Sequence, residues 1–274
     1  MLDSTKDHTL HIDGDRVWLT FPKLDGYDEL RHLFTTRHGG VSTGYLATWN
    51  FGVLENDKEE NIRRNYEILA ETMGTTPDRF IRTNQTHTDN ILIVSEEDAG
   101  KGVTRERGFR DVDGLVTSSR GIALMTTHAD CNAVFFYDPV KHVIGMAHSG
   151  WRGTLKSIST RMTDIMGSEF GSSSRDIVAG IGPSLCKDCF EVDPDVAEAF
   201  IAKDPENAEF IEERAPKFHI DLKLIIRRDL LRCGLKEENI LDMKLCTMCD
   251  TENFFSHRGQ HGKRGLMAAS IMMK

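Results

Sequence analysis

The sequence is short of positive charge. Its 34 Lys and Arg residues face 43 Asp and Glu, a formal net charge of −9. No global attraction to nucleic acid or to an anionic membrane surface is expected, and any anionic ligand must be met by a local cluster. Long apolar runs are missing too. No stretch of about 18 apolar residues occurs, and the first twenty residues, MLDSTKDHTLHIDGDRVWLT, lack the apolar core of a secretion signal. A cytoplasmic protein with neither nucleic acid nor membrane among its partners is expected. Prolines number only seven, with none between Pro77 and Pro139, and no linker or repeat of about 20–50 residues divides the chain. One domain over 1–274 is expected, as a monomer or weak homo-oligomer.

What is present is ordinary for a globular protein, 39% hydrophobic and 28% charged. Six cysteines in such a chain read as free thiols, metal ligands or nucleophiles rather than disulfides.

Apolar periodicity predicts four helices. One covers 57–73, with Ile62, Tyr66, Leu69 and Met73 on one face and Gly74 as its stop; a second covers 153–166. A third follows Pro194, and a fourth runs from Asp221 as N-cap to Gly234. Segments rich in β-branched and aromatic residues predict strands at 17–21, 91–94, 114–117, 122–126, 133–137, 143–147 and 177–181. Between residues 114 and 147 no helix separates the strands, which points to mixed or antiparallel pairing. The expected class is α+β, with mixed sheets flanked by helices.

The strands at 133–137 and 143–147 form a hairpin around Asp138-Pro139-Val140-Lys141-His142. Centring it on Val140 makes paired residue numbers sum to about 280, which sets Cys131 opposite Ser149 and beside His148, about 5 Å away. The following Gly150-Trp151-Arg152-Gly153 leads into the second helix, so free N–H groups and the Arg152 guanidinium are expected to form an anion site suited to phosphate. His87, in the polar turn Asn84–Asp89, would complete a His-Cys-His set for Zn²⁺ with one coordination position left open. Two other readings use the same atoms. Cys131 could act as a nucleophile with His148 as base and Asp130 nearby, or be a plain buried thiol.

Other motifs are weaker. Cys186-x-x-Cys189 and Cys246-x-x-Cys249 invite a four-cysteine zinc reading, but their separation far exceeds the roughly 15–20 residues usual between knuckles. These cysteines and Cys233 read as structural. The loop Thr35–Gly44 matches neither a P-loop nor a dinucleotide fingerprint, though Arg37 could clamp an anion. Phe254–Arg258 reads as an aromatic strand with an exposed basic tip.

Taken together, TTRHGGVSTGYLATWNFG at 35–52, NQTH at 84–87, DVDGLVTS at 111–118, THADCNAVFFYDP from 127, GMAHSGWRG at 145–153, GIGPSLCKDCFEV at 180–192 and CTMCDTENFFSHR at 246–258 resemble the YfiH family. That family is known variously as polyphenol oxidase, laccase-domain protein or purine nucleoside phosphorylase. The resemblance implies an α+β fold similar to the cytotoxic-necrotizing-factor-like cysteine hydrolases, and a metal, usually zinc, on His87, Cys131 and His148. It implies purine nucleosides and phosphate as substrates, with phosphorolysis of adenosine, inosine, guanosine and methylthioadenosine, and hydrolytic deamination of adenosine. On this reading Cys131, Asp130 and Arg152 are catalytic, and Arg37, Gln85 and Arg152 bind substrate or phosphate.

The family also implies two alternatives: an amidase editing UDP-muramyl amino acids, and a copper-dependent polyphenol oxidase. Copper outcompetes zinc at many N/S sites. Yet none of the eleven histidines forms a His-x-His pair, which leaves oxidase chemistry incidental. Ser149, His128 and Gly262-Lys263-Arg264-Gly265 depart from the family's usual residues.

Overall fold

The computed structural model describes residues 2–52 and 57–274. Two six-stranded sheets form its centre. The first runs in the order Thr9–Asp13, Arg16–Thr20, Leu30–Thr35, Met267–Met273, Ala123–His128, Phe80–Arg82. The second runs Ile240–Asp242, Val178–Ile181, Asn132–Asp138, Val143–Ser149, Gly114–Thr117, Ile91–Ile93. Both are antiparallel within and carry parallel pairings toward their edges. A three-stranded sheet, Glu191–Val192, Lys217–Ile220 and Ile211–Arg214, stands apart from them.

The run Asn132–Asp138 shows why the sheets stack. All seven residues are buried, so this strand must be covered on both faces, as its unbroken apolar sequence requires. Phe135 and Tyr137 join Phe34, Leu124 and Ile271 of the first sheet in one core. Val134 and Phe136 point the other way, onto Ile158, Met162 and Ile226 of two helices. Each such buried side chain stabilises the fold by roughly 1.5–3 kcal/mol relative to exposure. On the far side of the first sheet, the helix Glu59–Met73 lays Tyr66, Leu69 and Met73 over Leu33, Met125 and Met272. The architecture is α+β, mixed sheets flanked by helices, as the sequence predicts.

Three predicted helices hold within a few residues. Gly74 caps the first in the left-handed region at φ 69°, and the Asp221 side chain accepts the Leu224 N–H at the start of Leu222–Arg232. The predicted 153–166 helix is instead two, Trp151–Leu155 and Ile158–Phe170, because Ser157 turns left-handed at φ 60° between them. The anion site expected at its start thus stands before a helix of only five residues, which has almost no aligned dipole to offer. Phe254–Arg258 is also not a strand. Phe254 and Phe255 are buried in irregular backbone, and Arg258 folds inward.

Candidate metal centre

The hairpin register differs from expectation by one residue. Asn132 pairs Ser149, Ala133 pairs His148 and Asp138 pairs Val143, so paired numbers sum to 281. The loop is the cause: Asp138 Oδ1 accepts the N–H groups of Val140 and Lys141 at 2.8 and 3.1 Å, and His142 closes the turn at φ 52°. A one-residue slip exchanges the faces of a strand. With His148 opposite Ala133, Cys131 lies two residues along and shares its face; the expected register would have separated them.

His87 arrives from the loop between Phe80–Arg82 and Ile91–Ile93, and one buried carboxylate sets it in place. Asp113 accepts the backbone N–H of Thr86, His87 and Thr88 at 3.1, 3.1 and 2.9 Å. The same carboxylate accepts a hydrogen bond from His148 Nδ1–H at 2.7 Å. His148 Nε2 is thereby left to face Cys131 and His87, the arrangement in which an outer carboxylate orients a ligand imidazole. Burial alone would raise the Asp113 carboxyl, but the hydrogen bonds from His148 and Thr88 hold it below the usual carboxylate range. Sequence reasoning missed Asp113. The pairing Gly114↔Ala147 puts it beside His148, and only that register could have revealed it.

His87, Cys131 and His148 bring their donor atoms within 4.8 Å of one another. Tetrahedral zinc with Zn–S near 2.3 Å and Zn–N of about 2.0–2.1 Å would hold sulfur and nitrogen about 3.5 Å apart; Cys131 Sγ lies 3.8 Å from His87 Nε2. Burial opposes charge on Cys131, yet His148 and His87 outweigh it and lower the thiol, favouring the thiolate a metal binds. Burial likewise opposes charge on His148, and Cys131 and Asp113 outweigh it upward. The donor chemistry and spacing therefore fit a divalent metal. His87 and Asp130 both sit at positive φ, 64° and 97°, a backbone cost that the surrounding hydrogen bonds maintain.

Two substitutions probe this construction. Asp113→Asn keeps the shape but removes the charge that orients His148, and is expected to weaken metal binding about 10–100-fold, read by competition with a chelator. Gly150 needs its missing side chain, since a Cβ there would lie 2.8 Å from His87 Cδ2 and 2.9 Å from Cys131 Sγ. Gly150→Ala, at an undemanding φ of −71°, is expected to leave folding intact by circular dichroism while lowering metal occupancy.

The remaining predicted residues are distributed differently. The Asp130 carboxylate faces the cavity beside the triad, but accepts the Thr247 hydroxyl and the Arg258 N–H, both at 2.7 Å. It does not buttress His148; Asp113 does. Gln85 lines the same region, with its amide spent on Thr127 O and Thr127 N at 2.6 and 2.8 Å. Arg37 is tied to the carbonyls of Ala47 and Thr251, both at 2.9 Å, and lies over Phe255. Arg152 is exposed, stacked 4.2 Å from the Trp151 ring, and lines neither cavity at the triad. His128 is not a ligand; burial and the nearby His148 hold it well below its ordinary pKa, and its ring braces the Cys131 carbonyl at 3.1 Å.

Two cavities, of about 260 and about 280 Å³, meet at His87, Cys131 and Arg264. Into the second project three half-buried guanidiniums, those of Arg82, Arg107 and Arg264. Each has a buried Nε without a hydrogen-bond partner, and among the described residues no carboxylate forms an ion pair with any of them. Burial lowers Arg107 and Arg264 from their ordinary values. Such desolvated cations favour an anion between them. Sequence reasoning singled out none of the three for this role, although Arg264 stood in a segment noted for its departure.

Fold and site together define a class: a mixed α+β protein with a Cys-His₂ metal-type triad at the mouth of a hairpin. The chain belongs to the family described as multi-copper polyphenol oxidoreductase laccase, whose family model matches residues 31–274. It is 36% identical over 244 residues to purine nucleoside phosphorylase YlmD of Bacillus subtilis (strain 168), covering 88% of this chain and 87% of that one. It is 34% identical to adenosine deaminase RL5 from an unknown prokaryotic organism, covering 69% and 73%. Of solved structures, Bacillus licheniformis hypothetical protein YfiH is similar at a TM-score of 0.90 and 31% identity, covering 97% of this chain and 99% of that one. The YfiH resemblance read from the motifs is thus borne out.

Proposed function

We propose that this chain is a zinc-dependent purine nucleoside phosphorylase with adenosine deaminase activity. The observation that carries the reading is the trio of half-buried guanidiniums on Arg82, Arg107 and Arg264 beside the triad, whose Nε atoms have no hydrogen-bond partner and which pair with no carboxylate among the described residues. In a chain of net charge −9, three half-buried cations gathered with unused Nε donors are costly unless an anionic substrate uses them. The phosphate role expected of Arg152 and Arg37 passes to these three.

In phosphorolysis the arginines hold phosphate and orient one of its oxygens toward C1′ of the ribose. That oxygen bonds to C1′ as the C1′–N9 bond breaks; the bonding pair leaves with the purine, which takes up a proton. That proton comes from solvent and is relayed to the leaving base by way of the Asp130 carboxylate, which Thr247 and the Arg258 N–H fix in the adjoining cavity. Trp151, Leu185 and Phe190 give this cavity an apolar wall, suited to a purine face. His87, Cys131 and His148 would hold the metal, which would supply Lewis acidity to both reactions and would lower the pKa of water, as deamination at C6 needs.

Copper remains the alternative metal, since two His and one Cys also suit copper. A laccase needs further histidine-held coppers, and among the described residues the other group of metal-type donors contains only cysteines. An amidase acting on UDP-muramyl amino acids would also place a diphosphate on the arginines. Parallel assays separate the two: adenosine with phosphate is expected to yield adenine and ribose 1-phosphate, while the UDP-muramyl amino acid is left intact. Release of the amino acid without nucleoside turnover would overturn the reading.

A further inference from the structure

The two CxxC motifs set apart in the sequence come together in space. Val178–Ile181 pairs in parallel with Ile240–Asp242, so both strands run out at the same end of the sheet, as parallel pairing dictates. Each chain then reaches its first cysteine within five residues, at Cys186 and Cys246. A parallel bridge between Ser184 and Cys246 keeps the two exits aligned, through Thr247 N–H to Ser184 O at 3.1 Å. Each motif then bends back on itself. Cys189 N–H donates to Cys186 O at 3.1 Å, and Asp250 N–H to Cys246 O at 3.2 Å.

The result is four sulfurs whose positions lie within 4.8 Å of one another. Cys189 and Cys249 are 3.4 Å apart, Cys186 and Cys249 3.9 Å. Four sulfurs around zinc at about 2.3 Å stand about 3.8 Å from each other, whereas a disulfide needs about 2.05 Å. The Cys186 N–H also donates to Cys246 Sγ at 3.3 Å, a bond that favours thiolate over thiol. All four are free cysteines. The roughly 15–20-residue spacing rule for paired knuckles fails here because sheet pairing, not a short loop, joins the two halves.

We propose that Cys186, Cys189, Cys246 and Cys249 bind a second zinc ion, separate from the His87–Cys131–His148 centre. Four protein sulfurs leave no open position, so this site is structural. Soft thiolates select zinc over hard cations such as magnesium or calcium. Its place in the fold gives it a task. Leu185 and Phe190, which flank the first motif, line the substrate cavity, and Leu185 N–H donates to Asp130 O at 3.1 Å. Thr247, inside the second motif, holds the Asp130 carboxylate, and the Arg258 guanidinium reaches the Cys189 carbonyl at 3.3 Å. A metal clasp across the two motifs fixes one wall of that cavity and the carboxylate within it.

The test is metal stoichiometry, independent of any activity. Full-length protein purified under reducing conditions, without chelator or added copper, is expected to carry two zinc ions per chain by elemental analysis. Cys249→Ser, at the most exposed of the four, is expected to reduce this to one, and Cys131→Ala likewise to one. In the unaltered protein, alkylation should spare Cys186, Cys189, Cys246 and Cys249 until a strong chelator is added, a readout that needs no variant. One zinc per chain, lost only with Cys131, would overturn the proposal. So would four thiols that alkylate freely before chelation, or a Cys189–Cys249 disulfide in the reduced preparation.

Discussion

Cys131→Ala is expected to abolish phosphorolysis and deamination together, with a fall in turnover well above about 100-fold, while the fold persists. Losing an outer partner of a metal ligand costs about 10–100-fold, and Cys131 is a direct donor, so its loss sets the larger effect. The side chain sits half-buried at the mouth of the hairpin, 3.8 Å from His87 Nε2. Its removal empties a small volume at the cavity edge instead of the core, which limits the stability cost. The variant also discriminates between the two chemistries open to this thiol. Cys131→Ser leaves a hydroxyl of similar size that is a poor zinc ligand. If metal content and both reactions fall in step across the Ala and Ser variants, ligation is the function. If metal stays bound while turnover vanishes, Cys131 works as a nucleophile. Elemental analysis alongside steady-state assays on both variants makes the distinction.

Removing the guanidiniums should split the two reactions. Arg264→Ala is expected to raise the KM for phosphate about 10–100-fold, because a hydrogen bond to a charged group contributes about 1.5–3 kcal/mol. The double change Arg82→Ala with Arg107→Ala should cost more, short of simple additivity because the two share one pocket. Deamination of adenosine uses water, not phosphate, and should be retained. These half-buried guanidiniums pair with no carboxylate among the described residues, so removing them also lifts a desolvation cost, and Arg264→Ala is expected to be no less stable in thermal melts than the parent. Equal loss of both reactions would assign the arginines to nucleoside binding. An unchanged phosphate KM would remove the observation on which the functional reading rests.

How much of this was legible in the sequence depends on the range of the interaction. The helix Glu59–Met73 and the strand Asn132–Asp138 announced themselves through apolar pattern and local stops such as Gly74. The strand Met267–Met273, MAASIMM, lies at the middle of the first sheet, yet its Met, Ala and Ser carry little β preference, and burial between Leu30–Thr35 and Ala123–His128 makes it a strand. The triad was reached through motif and hairpin, although the assumed register would have put Cys131 and His148 on opposite faces. An Asp138 turn moved the pairing by one residue and brought them together.

Long-range pairing hid the rest. Asp113 meets His148 through the Gly114↔Ala147 register, and the cysteine motifs meet through the parallel strands before them. Arg82 and Arg107 reach the cavity from segments with no motif of their own. Arg152 shows the converse: local context of Gly, Trp and Arg ahead of a helix does not fix where a long side chain goes, and here the guanidinium stacks on Trp151 and is exposed.

The central claim is that a metal held by His87, Cys131 and His148 works with bound phosphate to cleave purine nucleosides. Product analysis with adenosine tests it most directly, using protein stripped by chelation and then reloaded with zinc, with and without phosphate. The account predicts adenine and ribose 1-phosphate only when zinc and phosphate are both present, and inosine with ammonia when phosphate is withheld. Adenine release by the stripped protein, or no nucleoside turnover by the zinc-loaded protein under either condition, would contradict it.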